Sequence, residues 1–594
     1  MGRKSPPLNA LRLAPSFLNL VKTNAVLINN RLSYKLTAET PRSLQPLQNH
    51  PSNKVLIYDT TLRDGIQRHG IACTLQDKIK IAHKLAQLQI PFIEAGWPGA
   101  NDIDTQLFKH FQKNPLPSTQ IVAFGSTRRP HKAAAEDTTL RSLLNAETQW
   151  VTIFGKSWDL HVTDALRIDP SENLAMIQTS VEYLRANGRN VIYDAEHWFD
   201  GYQANPDYAL QTLNAAVLGG ADWLVLCDTN GGTLPNQIAA IVTEVQTWLQ
   251  THHQDLPNPP QIGIHTHNDS GTAVASSLSA INAGARMVHG TINGYGERCG
   301  NADLCSVIPN LQLKLNHPCL PPENLKTLTE TSRYISEIVN LAADDHAPYI
   351  GRSAFAHKGG IHISAVERNP KTYEHIKPGE IGNHRHIVVS SSSGASTVLS
   401  KAKHYNIDLQ KEDPATRRII NRVKELESNG YQFEAAEASF ELLMRTELGL
   451  HQPMFQLRGF EVNYNVIQSD VQCNIGARAM IKALIKGQEV LEVAEGMGPV
   501  SALDKALHKA LTRFFPEVET FHLTDYKVRI LNSEAGTAAK VRVLVESSNG
   551  EQRWSTIGVS VNILEASYQA VAAGIEYGLH YAVKTQAEKT AARM

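Results

Sequence analysis

Eight short apolar runs recur along residues 55–292, each followed by a stretch with helical periodicity, at a spacing of about 30 residues. The runs cover residues 55–58, 92–95, 121–124, 150–154, 191–193, 223–227, 261–265 and 287–292. Strands that alternate with helices indicate a parallel sheet, and eight such units favour a closed (β/α)₈ TIM barrel over an open doubly wound sheet. An open sheet would more often carry a glycine-rich phosphate-binding turn after its first strand, and no such turn follows Tyr58.

The chain of 594 residues is too long for one compact core, and its pattern changes after the predicted barrel. We predict an N-terminal tail over residues 1–53, a barrel domain over 54–320, a helical helper or linker subdomain over 321–430 and a small α/β domain over 431–594. Within the last region, short strands are predicted at 490–493, 528–530, 541–545 and 555–561, with helices that begin at Pro499 and Ile563. Its two halves therefore resemble a weak internal repeat.

The first 53 residues contain several Arg, Lys, Ser and Asn residues and no acidic residue before Glu39. This composition is typical of an organellar transit peptide. It fits equally a disordered tail, or a non-native extension that begins at an upstream start codon. We therefore expect a cytoplasmic protein, with a plastid or another organelle as the alternative if the tail is a transit peptide.

Charge, hydropathy and cysteine usage exclude several classes of protein. The formal net charge of −1 gives no electrostatic reason to expect a nucleic-acid partner or an acidic membrane surface. The most apolar region, residues 215–226, is interrupted by two glycines and an aspartate, so no membrane-spanning helix is predicted. The six cysteines form no CxxC pair, which predicts reduced, partly buried thiols in an intracellular protein. Those within or beside apolar runs are Cys227, Cys299, Cys305 and Cys473.

Polar side chains occur at the ends of six of the eight predicted strands. The carboxyl ends of barrel strands open into one cavity, where barrel enzymes place their chemistry. The polar residues at these ends are Asp59, Arg63, Asp64, Glu94, Asp194, Glu196, Asp228, Thr229, His265, His267 and Asn293. A polar residue at one strand end would be weak evidence, but six strands share the pattern. The sequence therefore predicts an active site at this end of the barrel.

Two histidines and one aspartate form a predicted metal site. Side chains two residues apart on a strand point to the same side, so His265 and His267 share one space while Thr266 points away. Asp64 follows the first strand, which in a closed barrel is adjacent to the eighth strand and near the seventh. Two imidazoles and one carboxylate, with coordination positions left open, suit a catalytic divalent cation. Paired histidines inside a barrel could instead simply be hydrogen-bonded.

Three further residues near this site have both a functional and an ordinary interpretation. Arg63 could bind a substrate carboxylate or a developing oxyanion, or form a surface salt bridge. Glu196 could act as acid, base or substrate-positioning group, or cap a helix. Thr229 could likewise be a helix N-cap.

The loop after the eighth strand and the histidine-rich insert supply the remaining candidates. Asn293 or Asn301 could reach the cation from a tight glycine-containing loop. A free cysteine such as Cys299 more often fills space as a buried apolar residue than acts as a nucleophile. His357 and His362 belong to an insert that is too short for a domain, and surface histidines are the ordinary alternative for both.

Three motifs resemble one enzyme family: YDTTLRDGIQ at 58–67, IHTHND at 264–269 and NGYGERCGNADL at 293–304. They are similar to the acyl-CoA condensing branch of the DRE-type TIM metallolyases, which includes 2-isopropylmalate, homocitrate and citramalate synthases, with 3-hydroxy-3-methylglutaryl-CoA lyase as a near relative. The resemblance covers roughly residues 54–590. The segments FIEAGWPGAN, VIYDAEHWFDGY and FAHKGGIHISAVERNPKTYEHIKP are most similar to the long-form citramalate synthase group. One departure is Ser364, where isopropylmalate synthases more often carry an acidic residue.

The resemblance implies roles for individual residues. It makes Asp64, His265 and His267 ligands of Mg²⁺ or Mn²⁺, with Asn301 contributing directly or through a hydrogen bond. It makes Arg63 the group that polarises a 2-oxo acid, and Glu196 and Thr229 the groups that hold it. It also implies that His362 and Tyr373 reach the site from the helper segment, from the partner subunit. The proton-abstracting base would be Glu196 or a water activated by His362.

The resemblance further implies the condensation of acetyl-CoA with pyruvate to citramalate, in isoleucine biosynthesis. The alternatives are condensation with 2-oxoisovalerate for leucine biosynthesis, carbon–carbon cleavage by a lyase that uses Cys299, and a non-catalytic amino-acid sensor. The C-terminal domain resembles the leucine-responsive dimerisation domain of isopropylmalate synthases, which implies a homodimer that is feedback-regulated by isoleucine. No nucleic-acid or membrane partner is expected.

Overall fold

The computed structural model describes residues 53–390, 393–467 and 474–591, and its first domain is the expected closed barrel. Eight parallel strands pair in chain order, and the first strand closes the cylinder by pairing with the eighth. The strands are β1 Leu56–Asp59, β2 Phe92–Gly96, β3 Gln120–Ser126, β4 Trp150–Lys156, β5 Asn190–Glu196, β6 Trp223–Asp228, β7 Gln261–Thr266 and β8 Met287–Gly290. All eight strands predicted from the sequence are therefore present.

Helices cover the outside of the barrel. The first begins at a capping box, in which Thr74 and Asp77 each bond the other's backbone N–H. The barrel helices are α1 Leu75–Gln87, α2 Asp102–Lys113, α3 Thr138–Asn145, α4 Pro170–Ala186, α5 Trp198–Ala204, α6 Pro206–Gly219, α7 Pro235–His252, α8 Ala273–Asn282 and α9 Leu304–Pro309. The main core lies between these helices and the strands, and a smaller apolar cluster fills the lower interior of the cylinder. A filled interior leaves the open strand ends as the place for a site.

The segment after the barrel is mainly helical. Its helices are α10 Pro322–Leu325, α11 Leu328–Ile338, α12 Gly360–Arg368, α13 Ala395–His404, α14 Pro414–Ser428 and α15 Glu437–Glu447, and a short parallel pair is formed by β9 Ala356–His357 and β10 His386–Ile387. A separate apolar cluster joins α13, α14 and α15 and includes Ile419, Phe433 and Phe440.

The C-terminal region contains the expected repeat. Each half consists of a three-stranded antiparallel sheet followed by a helix. The first half is β11 Phe455–Ile467, β12 Asn474–Ile485, β13 Gln488–Gly496 and α16 Pro499–Thr512, and the second is β14 His522–Ile530, β15 Val541–Ser548, β16 Arg553–Ser560 and α17 Ile563–Ala591. One apolar core packs both helices against both sheets. The sequence predicted β13 to β16 and both helices but missed β11 and β12.

Two expectations concern parts of the chain without a structural description. The transit-peptide, tail and start-site interpretations of residues 1–53 fall almost entirely on residues outside the described ranges, as does Cys473. Among the helices that are described, none combines the length and apolar character needed to cross a bilayer.

Candidate active site

Asp64, His265 and His267 meet at the open end of the barrel. The three residues are buried, and their ligand atoms lie within 4.8 Å of one another. His265 Nε2 is 3.6 Å and His267 Nε2 is 3.7 Å from Asp64 Oδ2. Strand alternation produces this arrangement, because Thr266 points to the opposite side and bonds the carbonyl of Ala273.

The donor atoms fit a divalent metal ion. Two imidazoles and a carboxylate are a common ligand set for catalytic cations in proteins. Two buried oxygens at this point, Asp64 Oδ1 and Asn301 Oδ1, have no hydrogen-bond partner within the described part of the chain. Because buried polar atoms in folded proteins are nearly always satisfied, two unpaired oxygens beside two imidazoles indicate a site built to receive a cation.

The electrostatics of the cluster keep Asp64 and His267 in the forms that bind metals. His265 differs, because burial lowers its pKa but the hydrogen bond and the charge of Asp64 outweigh burial and raise it. Burial by itself would raise the pKa of Asp64, but the charges of Arg63, His265 and His267 outweigh it and hold that pKa well below its usual range. Burial, aided by the neighbouring His265, lowers the pKa of His267 to about 4. The carboxylate is therefore ionised and His267 is neutral at physiological pH, as metal coordination requires.

Arg63 is held at the cavity wall by three contacts. Its Nε donates to Glu94 Oε1 at 2.5 Å, and its Nη1 lies 3.4 Å from Asp64 Oδ2. The guanidinium carbon is 3.9 Å from the centre of the Phe124 ring. Glu94 and Asp64 raise the pKa of Arg63 further, against the opposing effect of burial. Arg63 therefore presents a fixed cation beside the metal ligands.

Glu196 and Thr229 lie at the ends of β5 and β6, in the wall of the same cavity. Glu196 forms an ion pair with Lys156, the last residue of β4. Thr229 Oγ1 accepts a hydrogen bond from the backbone N–H of His197 at 2.9 Å. The sequence analysis missed Lys156 because the fourth apolar run ends at Phe154, although a lysine two residues after that run was a visible signal.

The cavity between these groups has a volume of about 190 Å³ and a mixed lining. Its charged wall carries Arg63, Asp64, Asp194, Glu196 and Arg298, and its aromatic wall is formed by Phe124 and Phe154. The two phenyl rings stack with centroids 5.5 Å apart, and Trp97 packs edge-on against both. A cavity of this kind accepts a small anion with a short apolar substituent.

The loop after β8 closes one side of this cavity and is tied to its neighbours by the backbone. His267 and Asn301 form an antiparallel bridge, and the N–H of Asn268 donates to the carbonyl of Gly300 at 2.8 Å. A Cβ atom at Gly296, whose φ is +146°, would lie 2.2 Å from Asn301 Nδ2. Only glycine therefore permits Asn301 to lie beside the metal ligands.

Arg298 fastens the same loop to two other strand ends. It donates to Asp269 Oδ1 at 2.7 Å and to the carbonyl of Thr229 at 2.7 Å. The loops that follow β6, β7 and β8 are thereby joined into one rim.

The structure does not bring every candidate to the cavity. His362 and Tyr373 stack on each other at 4.2 Å in the post-barrel segment, and neither lines the cavity. Asn293 instead bonds Ser332 and Ser336 of α11.

The burial of the candidate cysteines and of His357 differs in part from expectation. Cys227 and Cys305 are buried as expected, but the expectation of partial burial is wrong for Cys299, which is exposed. His357 is not a surface residue, since it is buried and its Nε2 lies 3.3 Å from Glu374 Oε1.

A closed (β/α)₈ barrel with a candidate divalent-metal site at its open end is typical of the class of metal-dependent barrel enzymes. Family comparisons agree with this class. Residues 54–335 match the HMGL-like family, residues 349–431 match the homocitrate synthase post-HMGL domain-like family, and residues 434–579 match the LeuA allosteric (dimerisation) domain.

Comparison with relatives over most of their length identifies the family within this class. The chain is 64% identical to an (R)-citramalate synthase from Synechocystis sp. over 524 residues, which cover 88% of this chain and 96% of the relative. It is 51% identical to an (R)-citramalate synthase from Aquifex aeolicus over 89% of this chain and 98% of that protein. Identity falls to 30% with a probable 2-isopropylmalate synthase from Methanopyrus kandleri, over 88% of this chain and 98% of the relative. The chain belongs to the (R)-citramalate synthase family.

Proposed function

We propose that this enzyme condenses acetyl-CoA with pyruvate and hydrolyses the thioester, giving (R)-citramalate and CoA for isoleucine biosynthesis. The observation that carries the proposal is the cluster of Asp64, His265 and His267 beside Arg63, in a chain with 64% identity to an (R)-citramalate synthase. In the overall reaction, the methyl group of acetyl-CoA loses a proton and bonds to the keto carbon. Water then cleaves the thioester, which makes the condensation irreversible.

The cation would be Mg²⁺ or Mn²⁺, held by Asp64, His265 and His267, with Asn301 as a fourth contributor. When bound, it would act as a Lewis acid on the keto group of the 2-oxo acid. Asn301 supports this assignment because its buried Oδ1 has no partner among the described residues and its backbone bridges His267.

The remaining cavity residues would bind and polarise the 2-oxo acid. Arg63 is fixed between Glu94 and Asp64, so its cation is in place before the keto oxygen gains negative charge. Glu196 and Thr229 would hold the substrate from the ends of β5 and β6. The ion pair with Lys156 orients the Glu196 carboxylate, which favours a positioning role for Glu196.

We assign proton abstraction to a water activated by His362, with Tyr373 ordering the imidazole. The two rings stack at 4.2 Å but lie outside the cavity wall of their own chain, so they would have to come from the partner subunit of a homodimer. The match of residues 434–579 to a LeuA allosteric (dimerisation) domain supports such a dimer. We take residues 431–594 as the regulatory domain that binds isoleucine, residues 321–430 as the helper segment and residues 54–320 as the catalytic barrel.

A thiol-release assay tests the proposed substrate. With acetyl-CoA held constant, pyruvate should give CoA release at a kcat/KM well above that for 2-oxoisovalerate. Two further carbons must fit against the aromatic wall, and each methylene is worth about 1–3 kcal/mol in an apolar pocket. A higher kcat/KM with 2-oxoisovalerate would make the enzyme a 2-isopropylmalate synthase and refute the proposal.

Subunit mixing tests the assignment of His362 separately. A dimer that contains one Asp64→Asn subunit and one His362→Ala subunit has one site built entirely from intact residues if the site is shared. The isolated heterodimer should therefore recover about half of the wild-type activity, while both homodimers are inactive. A heterodimer as inactive as its parents would place His362 in the site of its own chain, and an active His362→Ala homodimer would place it outside the reaction.

A further inference from the structure

A histidine inside the barrel lies in register with the metal cluster and has no role in the proposed reaction so far. His289 of β8 is fully buried. It is paired with His265 of β7 on one side and with Tyr58 of β1 on the other. Residues in register on neighbouring strands present their side chains to the same face, so these three rings form a row within the barrel.

The contacts along this row are specific. His265 Nδ1 is 3.4 Å from His289 Nδ1. The Tyr58 ring stacks on the His289 ring with centroids 3.9 Å apart and an interplanar angle of 12°. Both rings of the pair are therefore fixed in position, and the imidazole of His289 has little freedom to rotate.

The row continues to the other side of the site. The Tyr58 hydroxyl donates to Glu94 Oε2 at 2.8 Å, and the other oxygen of Glu94 accepts from Arg63 at 2.5 Å. A continuous set of buried contacts thus joins His265, the metal ligand, to Arg63, the substrate cation.

The position of one proton follows from this geometry. His265 Nε2 is the nitrogen that faces Asp64, so the lone pair offered to a metal lies there. A neutral His265 then carries its single proton on Nδ1, and the group that faces this N–H is Nδ1 of His289. The proton of His289 must consequently be on its own Nε2.

We propose that His289 is a positioning residue for the metal: it accepts the Nδ1–H of His265 and fixes the ring and tautomer in which His265 coordinates. Metal-ligating histidines usually donate to a carboxylate, a carbonyl or a water, and here a second imidazole takes that place. The inference rests on the proposed function, since it takes His265 as a ligand.

The cost of His289 supports a specific role. Its Nε2 is buried without a hydrogen-bond partner among the residues that the structure describes. A residue needed only to fill this space would be apolar, because an unsatisfied buried N–H costs free energy that a phenylalanine or methionine avoids. The Nδ1 lone pair is therefore the group of His289 that can accept a hydrogen bond from His265.

One competing partner lies nearby. Ligand atoms of Asp194, His265 and His289 also lie within 4.8 Å of one another, so the Asp194 carboxylate could orient His265 instead. The experiment must therefore separate His289 from Asp194.

The test measures Mn²⁺ binding to the full-length protein without substrate, by the EPR signal of the free ion after removal of bound metal with a chelator. His289→Phe keeps a ring to stack on Tyr58 but removes the acceptor. We expect its dissociation constant for Mn²⁺ to rise about 10–100-fold, and that of His289→Gln, which keeps an acceptor, to rise less. His357→Phe, a buried histidine in the post-barrel segment, should leave Mn²⁺ affinity unchanged.

Each other outcome refutes the inference. Unchanged Mn²⁺ affinity in a folded His289→Phe protein overturns it, as does a larger loss in Asp194→Asn than in His289→Phe. If His289→Phe does not fold, His289→Met against His289→Gln provides the same comparison, and equal affinities refute the role. A wild-type protein that binds no Mn²⁺ would overturn both this inference and the proposed metal site. If the wild-type protein binds Mn²⁺ and His289→Phe binds it with the same affinity, the inference alone is overturned.

Discussion

The ion pair between Arg63 and Glu94 should contribute both to the stability of the barrel and to the chemistry at its mouth. Glu94 is fully buried, and its two oxygens accept from Arg63 Nε at 2.5 Å and from the Tyr58 hydroxyl at 2.8 Å. The substitution Glu94→Gln keeps the shape of the side chain and removes its charge. Arg63 then retains its ion pair with Asp64, whose Oδ2 lies 3.4 Å from Arg63 Nη1.

The size of the effect follows from this burial. Removing one partner of a buried ion pair usually costs about 3–5 kcal/mol, because the other charge stays buried without compensation. Since Asp64 and the stacked Phe124 ring still support Arg63, we expect the lower end, about 3 kcal/mol. For a domain as large as this barrel, about 3 kcal/mol lowers Tm by roughly 6–12 °C.

The measurement follows the barrel transition by circular dichroism, together with the thiol-release rate. A matched control is Glu196→Gln, because the Lys156–Glu196 pair is partly exposed, with 23% of each side chain accessible. That control should lose at most about 1 kcal/mol, or roughly 2–4 °C in Tm. Glu94→Gln should in addition lose at least about tenfold in kcat/KM for pyruvate, because Arg63 is no longer oriented. A Tm within about 2 °C of that of the control would refute the claim that Glu94 secures Arg63.

Four further outcomes are expected. His267→Ala should abolish turnover with little change in the melting curve, since its side chain lies at the barrel mouth rather than in the core, and near-wild-type turnover would contradict the metal assignment. Phe154→Leu should raise the ratio of kcat/KM for 2-oxobutyrate to kcat/KM for pyruvate by about tenfold, as expected for one added methylene. The control Phe108→Leu, on α2, should leave this ratio unchanged. Equal ratios in the two variants would mean that the aromatic wall does not limit substrate size. Cys299→Ala should keep full condensation activity, and a loss of more than about tenfold would instead favour an acid–base role for the thiol. Truncation after Leu450, which leaves the preceding helical cluster complete, should remove inhibition by isoleucine from the activity that remains; inhibition that survives would place the effector site elsewhere.

The barrel could be predicted because the sequence patterns that indicate its strands lie within short segments of the chain. Eight apolar runs at regular spacing suffice to indicate the strands, and alternation along β7 indicates that His265 and His267 share a face. The approach of Asp64 to these histidines also follows from barrel closure, since β1 and β8 are neighbours.

Pairing between distant residues was not predictable in the same way. Glu94 was visible at a strand end, but nothing in the sequence shows that it bonds Arg63, because that contact depends on how far neighbouring strands are shifted. The register that places His289 beside His265 and Tyr58 is likewise a property of the closed cylinder. Strand β12 was missed for a different reason, since its alanine-rich sequence has low strand propensity and is held in the sheet by two neighbouring strands.

The ties among the loops that follow β6, β7 and β8 determine how ligands can enter and leave. The Arg298 contacts and the backbone bridge between His267 and Asn301 tie these loops together, so that none of them can move without displacing a proposed metal ligand. We therefore expect the second substrate to enter and the product to leave across the opposite side of the mouth, beside the aromatic wall. The half of the entrance formed by these three loops is therefore fixed, and only the other half is free to move.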